Sequence, residues 1–154
     1  ENSEGTLKEF NFGNDIKAAN VVINSEAVFG QIPAGAYGRW RIGLAELQSR
    51  VSCCGDVGKY LFEQMVAFND KCADITFWPH GESWGLGDQG TVTVLLEESE
   101  RMNYDWVPAP AISQEMMYIH GQNNRPIRVY HTLDARLTME DFYAKLEHNF
   151  LKKD

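Results

Sequence analysis

The chain has 154 residues, with 44% hydrophobic and 23% charged side chains; this composition is typical of a globular protein that buries a core, and it excludes disorder for most of the chain. The formal net charge of -8 argues against broad binding to nucleic acid or to an anionic membrane, which requires clustered Lys and Arg. We therefore expect no nucleic-acid partner. No apolar run reaches the roughly 18 residues of a membrane span, so we also expect no membrane association.

Turn residues divide the first third of the chain into short predicted strands. The β-branched and aromatic residues that suggest these strands are Phe10, Phe12, Val21 and Ile23. A further strand is predicted around Trp40, Ile42 and Leu44, which fall on the same face. Its opposite face carries Arg39 and Arg41. A helical turn at residues 45–48 is the alternative structure for the segment that follows.

Two amphipathic helices are predicted, at about residues 56–73 and 138–152. Asp56 is the expected N-cap of the first helix, and Thr138 is the expected N-cap of the second. Apolar residues recur every three or four positions in both. In the first they are Val57, Leu61, Met65, Phe68 and Cys72. In the second they are Met139, Phe142, Tyr143, Leu146 and Phe150.

Further strands are predicted between the two helices, at residues 75–78, 91–96, 116–120 and 127–131. The last two are expected to form a hairpin. Because strands and helices do not alternate regularly, we expect an α+β fold with a mostly antiparallel sheet and the two helices packed on it. No repeat or linker interrupts the sequence. A single domain is therefore expected across residues 1–154, with residues 1–5 as a disordered terminus.

The cysteines are Cys53, Cys54 and Cys72. Their odd number and the adjacency of two of them favour free thiols in a reducing, cytoplasmic location, although one bridge from Cys72 to Cys53 or Cys54 stays open. Cys72 is expected to be buried on the first helix. The other two precede that helix and are the better candidates for reactive thiols, because a helix N-terminus lowers the pKa of a thiol. The chain begins with Glu1, which also leaves open a removed signal peptide.

Histidines and nearby carboxylates are weak candidates for a metal site. His80 and Glu82 lie in a glycine-rich segment, and His120 and His131 end the two strands of the predicted hairpin. Their spacing fits no compact zinc motif, and unliganded histidines are the favoured interpretation. The sequence contains no nucleophile elbow, phosphate-binding loop or dinucleotide fingerprint. We therefore predict no catalytic residue and no cofactor.

Tryptophans in predicted loops are the stronger candidates for binding. Trp78 and Trp84 flank the glycine-rich loop, and Trp106 lies in a second predicted loop beside Tyr104. Exposed tryptophans form hot spots for protein partners or stacking platforms for sugars, whereas rings that pack downward only cover the edge of a core. An acidic run is either a solvated hairpin end or the charged rim of an interface with a basic partner. Its members are Glu97, Glu98 and Glu100.

The order of these elements resembles that of WapI-like bacterial toxin-immunity proteins. The resemblance is carried by the early strands, the helix from Asp56 to Cys72, a strand pair and the segment that opens Gly90-Thr91-Val92-Thr93-Val94. It also includes the final helix, which is introduced by Leu137-Thr138-Met139-Glu140-Asp141-Phe142. The family implies inhibition by binding, without catalysis.

These observations predict a non-catalytic module that binds one protein partner, with an immunity protein or inhibitor from a bacterium or phage as one form of it. The partner-binding residues are expected among the tryptophans and the acidic run named above. Two alternatives stay open. The first is a metal-dependent enzyme that uses the histidines and carboxylates, and the second is a carbohydrate or small-ligand binding module that uses the tryptophans.

Overall fold

The structure is a computed structural model that describes residues 10–38, 40–72, 81–96 and 103–151. The helices are α1 (Phe10–Asn14), α2 (Ile16–Ile23), α3 (Ala34–Tyr37), α4 (Leu44–Glu46), α5 (Gly55–Lys71), α6 (Gly90–Leu96) and α7 (Ala135–Phe150). The strands are β1 (Gly30–Gln31), β2 (Arg41–Gly43), β3 (Ser83–Gly85), β4 (Asn103–Pro108), β5 (Ala111–Ile112), β6 (Tyr118–Ile119) and β7 (Pro126–Thr132). A π-helical turn, Leu47–Val51, follows α4. The predicted α+β class is confirmed.

The chain divides into two compact units, each built from two separate stretches of sequence. Unit 1 comprises Glu1–Gln31 and Tyr104–His131, and unit 2 comprises Ile32–Asn103 and Thr132–Asp154. One domain can contain two such units, so the expectation of a single domain stays a prediction. Within the described parts of both units, no helix has the length and apolar character needed to cross a membrane.

A three-stranded sheet organises unit 1, with β7 between β1 and β4. The β1–β7 pair is parallel, with Gly30 opposite Arg128 and Gln31 opposite Val129. Successive side chains of a strand point to opposite faces. One face of the sheet therefore places Val107, Ile127 and Val129 in an apolar cluster that also contains Ile23. The other face carries the alternate residues of β4 and β7, which include Trp106 and Arg128.

The strands predicted around Phe10, Phe12, Val21 and Ile23 are wrong, because this segment forms α1 and α2. Asp15 caps α2 through its Oδ1 atom, which accepts a hydrogen bond from the Ala18 backbone N–H at 2.9 Å. The more buried residues of α2 are Ile16, Ala19, Asn20 and Ile23, whereas Val21 is 71% exposed. This spacing of three and four residues is that of a helix, and the β-branched run concealed it in the sequence.

The predicted hairpin between residues 116–120 and 127–131 is also wrong. The first segment supplies β6, which pairs antiparallel with β5 through Ala111 opposite Ile119 and Ile112 opposite Tyr118. The second segment supplies β7, which lies between β1 and β4. The Asn20 side chain holds β5 against α2, since it donates to the carbonyl of Ile112 and accepts from its N–H, each at 2.8 Å. The tertiary pairing of β5 therefore overrides the local turn signal.

An antiparallel pair, β2 and β3, begins the core of unit 2. Ile42 lies opposite Trp84, and both are buried in one apolar cluster with Tyr143 and Leu146 of α7. Trp40 and Ile42 are buried and Arg41 is exposed, so the predicted alternation is confirmed for these three residues, whereas Leu44 begins α4 and does not continue the strand. Arg39 lies outside the described residues. The alternative at residues 45–48 is correct, because α4 begins at Leu44 and the π-helical turn follows it from Leu47.

The first amphipathic helix, α5, begins at Gly55, with Cys54 at the N-cap position and Asp56 in the first turn. Leu61, Met65 and Cys72 face the interior as predicted, but Val57 is 41% and Phe68 is 51% exposed. Phe62 takes part in the packing, so the buried stripe lies slightly to one side of the predicted one. The stripe begins at the buried Gly58 because α5 approaches the preceding turn closely there.

The second amphipathic helix, α7, begins three residues before its predicted start. Its N-cap is Asp134, whose Oδ1 accepts from the Leu137 N–H at 2.8 Å, so the prediction of Thr138 as cap is wrong. Tyr143 and Leu146 are buried as predicted, whereas Phe150 is 44% exposed. The Arg50 guanidinium lies 3.8 Å from the centroid of the Tyr143 ring. Its two terminal nitrogens donate to the Glu140 carboxylate at 2.8 and 2.9 Å, which ties the π-helical turn to α7.

The strand predicted at residues 91–96 is wrong, since this segment is α6. Gly90 and Thr93 are buried on the inner face of α6, whereas Val92, Leu95 and Leu96 are exposed. The Thr93 hydroxyl hydrogen bonds the Thr138 hydroxyl, which in turn donates to the Asp134 carbonyl at 2.8 Å. This contact with α7 favours a helix over the strand that the β-branched residues predict. The strand predicted at 75–78 lies outside the described residues.

We predict that Gly58→Ala destabilises the chain, although alanine normally stabilises a helix relative to glycine. A Cβ atom at position 58 would lie 2.0 Å from the Val51 carbonyl oxygen and 2.9 Å from Cys54 Cβ. The backbone must shift to remove this overlap, and that shift should lower the free energy of unfolding, measured by urea titration, by about 1–3 kcal/mol. The matched control is Gly35→Ala in α3, where a Cβ would contact nothing. A Gly58→Ala variant as stable as that control would contradict the close approach.

We also predict that Thr138→Val lowers the free energy of unfolding by about 1–3 kcal/mol, because it leaves the buried Thr93 hydroxyl without its partner. The double variant Thr93→Val/Thr138→Val should lose less than the sum of the two single variants, since no hydroxyl then remains unpaired. Urea titrations of all four proteins give this coupling free energy. Additive losses would show that the two hydroxyls do not depend on each other.

Candidate functional site

The second face of the unit 1 sheet brings aromatic rings and an arginine together. Val107, Ile127 and Val129 point toward the apolar cluster, so the alternate residues of β4 and β7 point the other way. These residues include Tyr104, Trp106 and Arg128, which we call the Trp106 surface. Trp106 was predicted to lie in a loop, but it lies in β4. The regular backbone of this edge strand fixes the direction of its side chain.

Ring contacts hold the Trp106 surface in place. The Arg128 guanidinium carbon lies 5.7 Å from the centroid of the Trp106 ring and 5.9 Å from that of Tyr104. The two rings meet edge to face, with centroids 5.9 Å apart. Tyr104 also contacts the buried Tyr130 at a centroid distance of 5.4 Å. Trp106 nevertheless remains 59% exposed, so a large ring is positioned by its neighbours and still accessible.

Arg128 retains unused hydrogen-bonding capacity. Its side chain forms no ion pair with any residue that the structure describes, and its shielded Nε atom has no hydrogen-bond partner there. Two aromatic rings lie beside the guanidinium instead. A guanidinium offers five N–H donors in a planar fork, which suits carboxylate and carbonyl oxygens. The Trp106 surface therefore combines an apolar contact area with a cationic donor.

His131 of β7 and Asp105 of β4 lie on the face of the sheet opposite the Trp106 surface, with His131 Nε2 and Asp105 Oδ2 2.9 Å apart. Both side chains are substantially exposed to solvent. Exposed pairs of this kind contribute little to stability. This contact links the outer end of β7 to β4, and β4 in turn carries Trp106.

The predicted metal ligands do not form a metal site among the residues that the structure describes. Within these residues, no three His, Cys, Asp or Glu side chains lie close enough together to hold a metal ion. Glu82 is exposed just before β3 in unit 2. His120 follows β6, and His131 lies in β7, both in unit 1. His80 lies outside the described residues, so the metal site as a whole stays a prediction.

The remaining predicted partner-binding residues fall into two groups. Trp84 was predicted to lie in a loop, but this is wrong, because it lies in β3 and is 8% exposed. Its ring fills the core of unit 2 opposite Ile42, and that position does not favour direct contact with a partner. The others lie outside the described residues: Trp78, Glu97, Glu98 and Glu100.

All three cysteines are free thiols. Cys72 is 5% exposed, which confirms the prediction of a buried thiol, and Cys54 is completely buried. Burial is the main cause that raises the pKa of Cys54 to about 11, and the neighbouring Cys53 thiol adds to the shift. The expectation of a lowered pKa at the helix N-terminus therefore does not hold for Cys54. Cys53 is exposed, and its thiol donates to the Ser49 carbonyl at 3.3 Å.

We predict that a thiol-specific reagent at about pH 8 labels Cys53 in the folded protein and reaches the other two only after denaturation. Cys54 is then protonated as well as buried, because its pKa of about 11 lies above that pH. Cys53→Ser should abolish labelling of the native protein, measured by intact-mass spectrometry. Rapid native labelling of that variant would contradict the burial of Cys54 and Cys72.

Sequence reasoning found Trp106 but missed Arg128 as its neighbour. The available signal was the spacing of Tyr104 and Trp106, and of Arg128 and Tyr130, each two residues apart as on one face of a strand. Pairing of β4 with β7 is required to join the two patterns, and pairing is not encoded locally. Comparison of the chain with protein-family models and with curated protein sequences found no match.

Proposed function

We propose that this chain is a non-catalytic protein-binding module that binds one protein partner through the Trp106 surface. The observation that carries this proposal is the 59% exposed Trp106 ring, held beside Tyr104 and Arg128 on a regular strand. Side chains that are already positioned lose less conformational freedom on binding, which improves affinity for a given contact area.

The residue types of the Trp106 surface favour a protein as the partner. Trp, Tyr and Arg are the residues most enriched among those whose truncation weakens protein complexes. The aromatic rings supply apolar area, and the Arg128 guanidinium supplies donors for the carbonyl or carboxylate groups of a partner. β4 also forms one edge of the three-stranded sheet, where a side chain is accessible to a second protein.

The finer form of the proposal is an inhibitor or immunity protein that acts by stoichiometric binding. Its support is the part of the resemblance to WapI-like immunity proteins that the structure retains, namely the two amphipathic helices α5 and α7. The net charge of -8 supports a basic partner, because opposite charges accelerate association and suppress wrong pairings. The three free thiols support a reducing compartment such as the bacterial cytoplasm.

The proposal predicts that Trp106→Ala weakens the complex by roughly 30-fold or more, as expected when a hot-spot residue is truncated. The protein is used to capture its partner from the native source, the partner is identified by mass spectrometry, and affinity is then measured with both proteins purified. The matched control is Tyr60→Ala on α5 in unit 2, because Tyr60 is 60% exposed. That change should leave affinity within about twofold of the wild type.

Equal effects of Trp106→Ala and Tyr60→Ala would contradict binding through the Trp106 surface. The alternative of a carbohydrate-binding module would be supported by two results together. The capture experiment would yield no protein partner, and the wild type would bind a specific glycan that the Trp106→Ala variant does not bind. A stoichiometric metal in the purified protein, lost when His120 or His131 is replaced, would instead support the metal-dependent alternative.

A further inference from the structure

Two contacts between β4 and β7 define the register in which these strands lie side by side. The Ala109 N–H, just after β4, donates to the Arg125 carbonyl, just before β7, at 2.8 Å. Trp106 lies beside Arg128, as cross-strand neighbours do. Three residues back along β4 therefore correspond to three residues forward along β7. The two strands are antiparallel, with Trp106 opposite Arg128.

This register determines which backbone groups of β4 point away from β7. In an antiparallel pair, residues whose N–H and C=O groups bond the neighbouring strand alternate with residues whose groups point outward. The Ala109 bond places Val107 in the first set, and Tyr104 and Trp106 in the second. The Arg128 N–H agrees with this, since it points away from β4 and donates at 3.1 Å to a carbonyl just before β1.

The outer edge of β4 is accessible. Among the strands that the structure describes, only β7 pairs with β4. The exposed residues of β4 are Asn103, Asp105, Trp106 and Pro108. Pro108 has no N–H and ends the strand. The edge therefore offers the outward N–H and C=O groups of Tyr104 and Trp106, and unpaired groups of this kind favour the addition of another strand.

Arg128 determines the chemistry of a strand added there. Its side chain forms no ion pair within the described part of the chain, and its shielded Nε atom has no hydrogen-bond partner there. An added strand lies about 5 Å from its neighbour, so its side chains on this face would stand beside the Trp106 ring. The guanidinium lies against the same ring, with its carbon 5.7 Å from the ring centroid. A carboxylate at that position would therefore meet an unpaired cation.

We infer that the partner contributes an extended segment, which adds to the outer edge of β4 and directs an acidic side chain at Arg128. The inference rests on the proposed function, because it specifies how a protein engages the Trp106 surface. In this mode of recognition, main-chain hydrogen bonds supply affinity and alternate side chains supply specificity. A single carboxylate at this position is compatible with a partner that is basic as a whole.

A second copy of the chain fits this edge less well. If β4 paired with β4 of another copy, the residues brought to this face would be Tyr104, Trp106 and Pro108. None of these side chains carries a carboxylate, so Arg128 would remain unpaired. Charge complementarity therefore favours a different protein as the source of the added strand.

The probe for the test is a fluorescent peptide of about eight residues, within the usual length of a strand. Valine and glutamate alternate on one face, and threonine occupies the other. A matched peptide carries glutamine in place of glutamate. Two further peptides carry N-methyl groups on alternate backbone nitrogens, one on the valine and glutamate residues and the other on the threonine residues, so that each blocks the N–H groups of one edge.

Fluorescence anisotropy with the full chain should show saturable binding of the glutamate peptide and at least about tenfold weaker binding of the glutamine peptide. One of the two N-methylated peptides should lose binding and the other should keep it, because only one edge of the added strand faces β4. Trp106→Ala should weaken binding of the glutamate peptide by about tenfold or more, since it removes the ring beside the added strand.

A charge reversal at Arg128 provides a result that misfolding does not mimic. Arg128→Glu should bind a peptide with lysine in place of glutamate more tightly than it binds the glutamate peptide, which reverses the preference of the wild type. The matched control is Arg136→Glu on α7 in unit 2, where Arg136 is exposed. This control has the same change of net charge and should keep the wild-type preference.

Several outcomes would overturn the inference. These are the absence of saturable binding of the glutamate peptide, equal affinity for the glutamine peptide, binding that neither N-methylated peptide loses, and an unchanged preference in Arg128→Glu. A dimer in solution that Trp106→Ala converts to a monomer would assign the edge to a second copy and would also overturn it.

Failure of the proposed function gives a different result, namely a captured partner that binds Trp106→Ala as tightly as the wild type. If Trp106→Ala weakens that complex while the peptides fail to bind, the added strand is wrong and binding through the Trp106 surface remains. The two proposals are therefore tested separately.

Discussion

The alternation of side chains along β7 is the constraint on which the rest of unit 1 depends. Ile127 and Val129 enter the apolar cluster, and this direction turns Arg128 and Tyr130 to the other face. Tyr130 is buried there and supports Tyr104, and Arg128 lies beside the rings of Tyr104 and Trp106. A register shift by one residue would exchange the two faces. The same pairing that forms the core therefore also positions the exposed tryptophan.

In unit 2, Gly58 permits the close approach of α5 to the preceding turn. Arg50 ties that turn to α7, because it stacks on the buried Tyr143 and hydrogen bonds Glu140. The hydrogen bond with Arg50 is the main cause that lowers the pKa of Glu140, so this carboxylate stays ionised to a lower pH than an ordinary glutamate. Because α7 also lines an open cavity of about 250 Å³, these interior contacts also shape a surface.

The sequence was most informative where local signals agreed and least informative where tertiary contacts decided the structure. Helices α5 and α7 were predictable from apolar spacing over four turns, although neither N-cap was placed correctly. Helix α6 was not predictable, because its β-branched residues favour a strand and its contact with Thr138 joins residues far apart in sequence. The pairing of β7 with β1 spans about a hundred residues and leaves no local signature. For the same reason, Trp106 was found as a candidate while its arginine neighbour was not.

The most direct test of the central claim is amide hydrogen exchange of the chain, alone and in complex with its purified partner. Binding through the Trp106 surface predicts slower exchange in Asn103–Pro108 and Pro126–Thr132 when the partner is present, because these strands carry Trp106 and Arg128. Unchanged exchange in both strands, together with protection confined to unit 2, would contradict the account.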